Sequence, residues 1–218
     1  MKRKNFLVIL FMSALLSGIA GLTQLAVNAA ESDSIAAISA GRHHTLVLRS
    51  DGSLWAWGSN YDGQLGNDKI GWDVISNVPV RVESDTNNWK AVSAGGAPSG
   101  DSYTLALKSD GSLWAWGNNS SGQFGNGTTT SSNIPVKAGT DTSWKTISAG
   151  GSHALALKTD GSLWAWGGNS SGQLGDGTTT VKNTPFRVLT DTGWKAISAG
   201  DHHSLALKTD GSLWAWGG

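Results

Sequence analysis

The sequence contains no cysteine, and only 15% of its residues are charged. Disulfides therefore hold no part of the fold together, and a lipoprotein leader, which requires a cysteine, is excluded. Lysine and arginine together number 16, and so do aspartate and glutamate. A chain without excess positive charge is a poor electrostatic match for nucleic acid.

Sequence patterns typical of catalytic or metal-binding sites are lacking as well. We find no Ser–His–Asp arrangement, no paired carboxylates and no calcium-loop spacing in the sequence. The glycine-rich segments 119–125 and 169–175 lack the Lys-Ser/Thr pair and the following helix that a phosphate loop requires. We therefore expect a protein that is not an enzyme and that has no cofactor and no metal site.

What the sequence does have is one eight-residue segment repeated letter for letter. The segment Asp-Gly-Ser-Leu-Trp-Ala-Trp-Gly begins at Asp51, Asp110, Asp160 and Asp210, so that successive copies start 59, 50 and 50 residues apart. A fixed period of this size, with strand-like content, indicates a stacked or circular array of repeats.

Each copy predicts a β-hairpin. The Asp-Gly pair favours a two-residue type I′ turn, which places Leu207 opposite Trp214 and Leu205 opposite Trp216 in the fourth copy. Cross-strand partners share a face, so this register gives one bulky face of leucine and tryptophan and one small face of alanine. Because both faces are apolar, we expect the bulky face of each repeat to pack on the small face of the next.

A fourth strand is expected after the proline of each complete repeat, because proline is tolerated where a strand starts. Four short strands in about 50 residues, repeated in a radial array, are typical of an all-β fold of β-propeller blades, each with four antiparallel strands. The prolines and the expected strands are Pro79 with 80–82, Pro135 with 136–138, and Pro185 with 186–189.

The repeats resemble those of the RCC1 family (regulator of chromosome condensation). Segment 150–157 reads Gly-x-x-His-x-Leu-Ala-Leu, and segment 166–177 reads Trp-Gly-x-Asn-x-x-Gly-Gln-Leu-Gly-x-Gly. The second copy departs from this pattern, with Tyr103 in place of the histidine. The resemblance implies a partial propeller of about 3.5–4 blades, at approximately 34–88, 89–143, 144–193 and 194–218, the last incomplete.

Family members usually close about seven blades, so the resemblance implies that this chain is a fragment of a longer protein. Two alternatives stay open. Either two half-rings associate through their open blade edges, or a short arc of blades is capped in another way.

The N-terminal 29 residues are predicted to be a secretory signal peptide. Three cations, Lys2, Arg3 and Lys4, precede an apolar run, and Val27 and Ala29 offer small residues for cleavage. An uncleaved membrane anchor is the alternative. Cleavage leaves residues 30–218 with 13 cations and 16 anions, and we expect a secreted or cell-surface domain that contacts neither membrane nor nucleic acid.

Most of the aromatic and imidazole side chains have a structural interpretation. The paired tryptophans of the hairpins are expected in the core between blades: Trp55, Trp57, Trp114, Trp116, Trp164, Trp166, Trp214 and Trp216. One histidine recurs at the start of a strand, and its imidazole is expected to hydrogen-bond loop backbone in every blade: His44, His153 and His203. Side chains of Gln64, Gln123 and Gln173 are expected to hydrogen-bond backbone between blades.

The resemblance implies a non-enzymatic scaffold that presents one rim to another protein, such as a small GTPase or a secreted β-lactamase. The candidate surface is the divergent material in two insertions, 58–89 and 95–110: Tyr61, Asp62, Lys69, Trp72, Asp73 and Asp101. One alternative is a guanine-nucleotide exchange factor for a small GTPase. The other is a cell-wall or carbohydrate-binding module that uses Trp72, the single tryptophan outside the repeat.

Overall fold

The computed structural model describes residues 34–83 and 86–218, and within them every regular element is a β-strand. The strands form antiparallel sheets in simple sequential order, β1-β2-β3-β4, β5-β6-β7-β8 and β9-β10-β11-β12, followed by the three-stranded β13-β14-β15. We call these sheets blades 1 to 4. The predicted all-β fold of antiparallel propeller blades is confirmed, with about 3.5–4 blades in the chain. In the part of the chain that the structure describes, no helix is long and apolar enough to cross a membrane.

The strands are short and follow one another closely. Their bounds are β1 Ile35–Ala40, β2 His44–Arg49, β3 Leu54–Ser59, β4 Ile75–Arg81, β5 Trp89–Gly96, β6 Ser102–Lys108, β7 Leu113–Gly117, β8 Ser132–Lys137, β9 Trp144–Ala149, β10 His153–Lys158, β11 Leu163–Gly167, β12 Lys182–Arg187, β13 Trp194–Ala199, β14 His203–Lys208 and β15 Leu213–Gly217.

The predicted register of the tryptophan hairpin is wrong by one residue. Leu207 pairs with Leu213, and Ala206 pairs with Trp214. The turn has three residues, not two: Lys208 N donates to the carbonyl of Ser212, and only Gly211, with φ of 89°, has the left-handed conformation. A type I′ turn needs positive φ at both central residues, whereas a three-residue hairpin needs one glycine in that region.

The serine after the glycine favours this longer turn. Its backbone N and its hydroxyl both donate to the aspartate at the turn, with distances of 2.9 and 2.6 Å from Ser162 to Asp160 Oδ1. These bonds hold the pKa of the Asp160 carboxyl below its usual range. The same pair of bonds recurs in the other three copies.

The corrected register changes which side chains share a face, because a slip of one residue moves a side chain to the other side of the sheet. In blade 3 one face carries Leu155, Leu157 and Leu163, and the other carries Trp164 and Trp166, which pair with Ala156 and Ala154 of the neighbouring strand. We call them the leucine face and the tryptophan face, and use the same names in every blade.

Each leucine face packs on the tryptophan face of the following blade. Leu105, Leu107 and Leu113 of blade 2 share a buried cluster with Ala156 and Trp166 of blade 3, and equivalent clusters join blades 1 and 2 and blades 3 and 4. The expected packing of a bulky Trp/Leu face on an alanine face is therefore wrong. Tryptophan and alanine side chains of one blade pack against leucine side chains of its neighbour, so that large and small side chains together fill the space between the sheets.

The fourth strands begin earlier than predicted, and their prolines lie inside them. Strand β8 begins at Ser132, three residues before Pro135. The pairing of β7 with β8 is irregular at this point, since Ala115 pairs with Val136 but Gly117 pairs with Ser132. Proline is accommodated there because β8 is an edge strand and because the bulge interrupts the hydrogen-bond ladder. No bond from the N–H that proline lacks is therefore required at this position.

The two tryptophans of each hairpin make different hydrogen bonds. The indole of Trp164 donates to the Ser162 hydroxyl of its own turn over 2.8 Å, whereas the indole of Trp166 donates to the carbonyl of Gln123 in the preceding blade, also over 2.8 Å. The pairs Trp116–Gln64 and Trp216–Gln173 repeat the second bond. The glutamine thus joins blades through its backbone carbonyl.

The glutamine side chains do something other than predicted. Gln123 Oε1 accepts from the backbone N of Ser121, and its Nε2 donates to Asn118, so the side chain closes its own loop. Gln64 and Gln173 accept from Asp62 N and Ser171 N in the same way. The expectation that these side chains bond backbone between blades is wrong, because a loop this tight satisfies the amide oxygen locally.

The recurring histidines contact side chains of the next blade. His44 Nε2 lies 2.9 Å from Thr104 Oγ1, and His153 Nε2 lies 2.9 Å from Ser204 Oγ. Each hydroxyl donates onward to a glutamine carbonyl, Gln64 or Gln173, so the imidazole Nε2 must carry the proton that the hydroxyl accepts. The predicted bond to loop backbone is therefore corrected to a bond with a side-chain hydroxyl of the next blade.

Candidate interaction surface

An exposed aromatic pair lies on the long segment between β3 and β4. The rings of Tyr61 and Trp72 are 3.9 Å apart between centroids and tilted by 52°. Trp72 is 77% exposed and Tyr61 is 40% exposed. Tyrosine and tryptophan are enriched in protein interfaces.

The segment that carries this pair is fixed to the blade at Asn60. The buried side chain of Asn60 accepts from the backbone N of Leu65 over 2.9 Å and donates to the carbonyl of Lys69 over 2.7 Å. The backbone of Asn60 also bonds to Val74 and Gly71. The loop is therefore closed around a buried amide, which holds Tyr61 and Trp72 in place.

The two insertions meet at Asp62. This buried carboxylate accepts from the backbone N of Ser102 in blade 2 over 2.8 Å. Asn118 Nδ2 lies 3.4 Å from Asp62 and 3.1 Å from Asp101, so that one amide connects both carboxylates. Burial raises the pKa of the Asp62 carboxyl, and Asp101 acts in the same direction, although the bonds from Ser102 and Asn118 oppose them.

The structure thus separates the predicted surface residues into three groups. Tyr61 and Trp72 form the exposed pair, and Lys69 and Asp73 are exposed on the same segment. Asp62 is buried and joins blade 1 to blade 2, with Asp101 half-buried beside it. Asp62 is therefore not part of the contact surface, because its carboxylate oxygens accept hydrogen bonds from Ser102 and Asn118.

Sequence reasoning did not single out the aliphatic residues of this segment. Ile70, Ile75 and Val78 are 54%, 68% and 59% exposed. The apolar letters scattered between Lys69 and Val80 were the available signal, but they do not distinguish an exposed loop from a buried strand. Ile70 is therefore a further exposed apolar side chain of this segment, and Ile75 and Val78 are two more on the adjoining strand β4.

A cleft of about 440 Å³ opens between blades 1 and 2. Its lining includes Asp68, Glu83 and Lys108, with Trp89 and Trp114 at its wall. Lys108 Nζ lies 4.0 Å from the ring centroid of Trp114 and 5.0 Å from that of Trp89. The equivalent Lys158 and Lys208 hold the same position in blades 3 and 4, which gives the lysine a role in packing.

No group of three or more histidine, cysteine or acidic side chains in residues 34–83 and 86–218 is placed to hold a metal ion. His44 and His153 are buried, and burial lowers the pKa of each to about 4. Both are neutral at neutral pH and use Nε2 for the bond to the next blade. Neither is available to a ligand.

A family model described as an RCC1-like domain matches residues 19–218. The chain belongs to the RCC1-like domain family. The match begins inside the segment 1–29, for which the sequence predicts a leader. It ends at the last residue, so all four blades lie within it.

Individual relatives support the same assignment for this RCC1-like domain. A protein RCC2 homologue of Xenopus laevis is 38% identical over 109 residues, which cover 50% of this chain and 19% of that protein. The human WBSCR16 structure superposes with a TM-score of 0.73 at 25% identity, over 84% of this chain and 47% of that one. Yeast RCC1 (Prp20) bound to Kap60 gives a TM-score of 0.69 at 25% identity, over 84% and 43%.

The RCC1-like domain spans a fifth or less of that curated relative and under half of each of those solved chains. What they share with this chain is the propeller fold. The fold of the relatives therefore transfers to this chain, whereas their activities belong to proteins of greater length.

Proposed function

We propose that this RCC1-like domain is a non-enzymatic scaffold that binds another protein through the segment between β3 and β4. The observation that carries the proposal is the exposed, pre-positioned pair Tyr61 and Trp72. The repeats supply a rigid frame, and the insertion supplies the surface in which this blade differs from the others.

The chemistry of the segment favours a protein over a sugar. Ile70 of this segment and Ile75 and Val78 of β4 are exposed apolar side chains as well, and an apolar centre with a polar rim is typical of a protein interface. Lys69 and Asp73 supply charges of both signs at its margin. The yeast relative Prp20, which is bound by Kap60, offers a precedent for recognition of a protein by this fold.

A paired substitution tests the surface. We expect Tyr61→Ser with Trp72→Ser to abolish capture of a partner by the purified chain, because loss of one interface anchor commonly costs about 2 kcal/mol or more. Ile134→Ser with Val181→Ser is the matched control, since both residues are exposed apolar side chains outside the segment, Ile134 on the edge strand β8 and Val181 just before β12. The partner enriched by the wild-type chain is identified by mass spectrometry, purified and titrated against all three chains.

Two results would count against the proposal. Equal loss of binding in the control pair would place the interface elsewhere, and unchanged binding in the Tyr61/Trp72 pair would remove the segment from it. Binding to a glycan array that disappears with Trp72→Ala alone would instead support the carbohydrate-binding alternative, because an exposed indole ring can stack on a sugar.

We further propose that the protein is exported and acts outside the cytoplasm. This rests on residues 1–29, which lie outside the residues that the structure describes. Mass spectrometry of the protein from culture medium should find an N-terminus at Ala30. An intact Met1 on protein retained in the cytoplasm would contradict export and would favour the alternative of guanine-nucleotide exchange on a cytosolic GTPase.

A further inference from the structure

A lysine recurs at the same irregular point of three strands. In β5 the residues Trp89 and Ala91 pair with adjacent residues of β6, so that Lys90 between them is the extra residue of a β-bulge. The same irregularity occurs in β9 at Lys145 and in β13 at Lys195. A bulge leaves its extra residue out of the hydrogen-bond ladder and redirects its side chain. We call Lys90, Lys145 and Lys195 the bulge lysines.

The bulge lysines belong to strands that contact one another from blade to blade. Strands β5, β9 and β13 are edge strands of their sheets, and β9 contacts both β5 and β13. The three lysines therefore lie on a row of neighbouring strands, one in each of blades 2 to 4. All three are exposed. Blades 2 and 3 have a neighbouring blade on both sides, so Lys90 and Lys145 are exposed where the blades are fully packed.

The Asp-Gly turns lie on the same face of the array as the bulge lysines. The residues that enter β5 bond to two of these turns, since Trp89 N donates to the carbonyl of Gly52 and the carbonyl of Asn88 accepts from Ser109 N. We call this face the turn face. The segment between β3 and β4, with its aromatic pair, lies at the opposite ends of the strands, because consecutive strands are antiparallel.

Other lysines of the turn face have a carboxylate partner. Lys158 Nζ lies 2.5 Å from Asp141, and Lys208 Nζ lies 2.6 Å from Asp191. Within residues 34–83 and 86–218 no bulge lysine forms an ion pair. The bulge lysines are therefore positive charges whose counter-ions must come from outside the described part of the chain.

We propose that the bulge lysines bind an acidic segment of a partner protein across the turn face. A lysine ammonium holds an anion as a point charge, and lysine already pairs with carboxylates on this face. A segment with several aspartates or glutamates meets the three lysines in turn. Each exposed pair contributes little by itself, so the affinity depends on their number.

The aspartates of the turns favour an extended polypeptide over a broad polyanion. Asp110, Asp160 and Asp210 are exposed on the turn face, and bonds from the serine that follows each turn lower their pKa. All three are therefore negatively charged at neutral pH. A nucleic-acid duplex over the lysines would bring phosphates against these carboxylates, and like charges in contact oppose binding. A single extended chain follows the lysines and avoids the aspartates.

Titration with a fluorescein-labelled polyglutamate peptide tests this surface. Fluorescence anisotropy should show that the purified chain binds the peptide, with an affinity that falls as the salt concentration rises, because salt screens exposed charges. Lys90→Gln with Lys145→Gln and Lys195→Gln should lower the affinity about tenfold. Binding that is unchanged in this variant would overturn the proposal and leave the lysines only the role of discouraging pairing between edge strands.

The matched control removes three other cations from the same face. Arg81, Lys137 and Arg187 are exposed at the ends of the fourth strands, where they act on the aspartates of the turns. Changing all three to glutamine alters the net charge equally and should leave the affinity nearly unchanged. Equal losses in the two triple variants would show a general effect of net charge and would overturn the proposal.

Blade 1 allows a test by gain of affinity. It has Ala36 at the bulge where the later blades have lysine. Ala36→Lys should strengthen binding of polyglutamate, and an affinity equal to wild type would contradict the role of the bulge. Tighter binding of duplex DNA or polyphosphate than of polyglutamate would overturn the choice of a polypeptide. Tyr61→Ser with Trp72→Ser should bind polyglutamate as wild type does, so failure of the proposed function would leave this result intact.

Discussion

The indole nitrogen of Trp166 donates to the carbonyl oxygen of Gln123 over 2.8 Å, across the boundary between blades 2 and 3. The two residues are 43 positions apart, and the same bond recurs at the other two boundaries. It assigns a separate role to each tryptophan of the hairpin. The second joins neighbouring blades, whereas the first bonds to its own turn.

Trp166→Ala should destabilise the protein by about 3–5 kcal/mol, the usual cost of emptying a large buried site. Trp164→Ala is the matched control, and its cost should be smaller because that ring is half-buried and bonds within its own hairpin. Urea unfolding of the two variants, compared by their midpoints, provides the measurement. Equal midpoints would contradict the separate roles.

Gly125→Ala should destabilise more than Gly127→Ala. Both glycines have positive φ, 71° and 83°, so both substitutions carry the cost of a left-handed residue, about 1–2 kcal/mol. A Cβ at Gly125 would also lie 2.9 Å from Nε1 of Trp166, whereas one at Gly127 would meet only Thr184 at 3.7 Å. The additional overpacking should add about 1–3 kcal/mol. Thermal unfolding of both variants provides the measurement. A similar decrease in Tm for the two variants would show that the loop containing Gln123 shifts to accommodate the indole.

The stability of the fold should decrease as pH falls from about 6.5 to about 4. Burial lowers the folded-state pKa of His44 and His153 to about 4 from the usual 6.5, so the unfolded chain binds more protons in this range. The contribution of each histidine is complete above pH 6.5 and amounts to roughly 3 kcal/mol. Asp62, whose pKa is raised, acts in the opposite direction. Urea midpoints that stay constant from pH 7 to pH 4.5 would contradict the buried neutral imidazoles.

In blade 2 Tyr103 replaces the histidine, Ala154 takes the place of the hydroxyl residue, and the tyrosine hydroxyl donates to the carbonyl of His153. Copying the Tyr103–Ala154 pair into the next boundary should be tolerated only as a pair. His153→Tyr with Ser204→Ala recreates a tyrosine opposite an alanine, with the carbonyl of His203 in the position of the acceptor. Either single change leaves an unmatched contact, a large ring against Ser204 or an imidazole without its hydroxyl. A double-mutant cycle should therefore give a coupling energy of about 0.5–3 kcal/mol in favour of the pair.

The double variant also serves as the control for the pH prediction. It removes one of the two buried histidines, so the loss of stability between pH 6.5 and pH 4 should become less steep. Additive single effects, or an unchanged pH dependence, would show that the residue at this position does not specify its neighbour.

The blades could be predicted because their signals are local. Alternating apolar residues, the Asp-Gly turn and the proline strand recur at a fixed period, and each depends on residues close in sequence. Features that depend on tertiary contacts could not be predicted in this way. One example is the pair of hydrogen bonds by which Asn118 connects Asp62 of one insertion to Asp101 of the other. Residue types in a loop carry no information about which other loop lies opposite.

The hairpin register shows the limit most clearly. Asp210-Gly211 is compatible with a turn of two residues or of three, and the difference reverses the face on which Trp214 lies. The serine that follows, with its bonds to Asp210, was a local signal for the longer turn.

The sequence by itself determined that this chain is a series of short antiparallel strands repeated about every 50 residues, because strand and turn preferences act within a few residues. Only the tertiary structure decided that the leucine face of one blade packs on the tryptophan face of the next and that a histidine of one blade bonds to a hydroxyl of the next. Those outcomes depend on contacts between residues some 50 positions apart, where burial and hydrogen bonding select one arrangement among several that the local pattern allows.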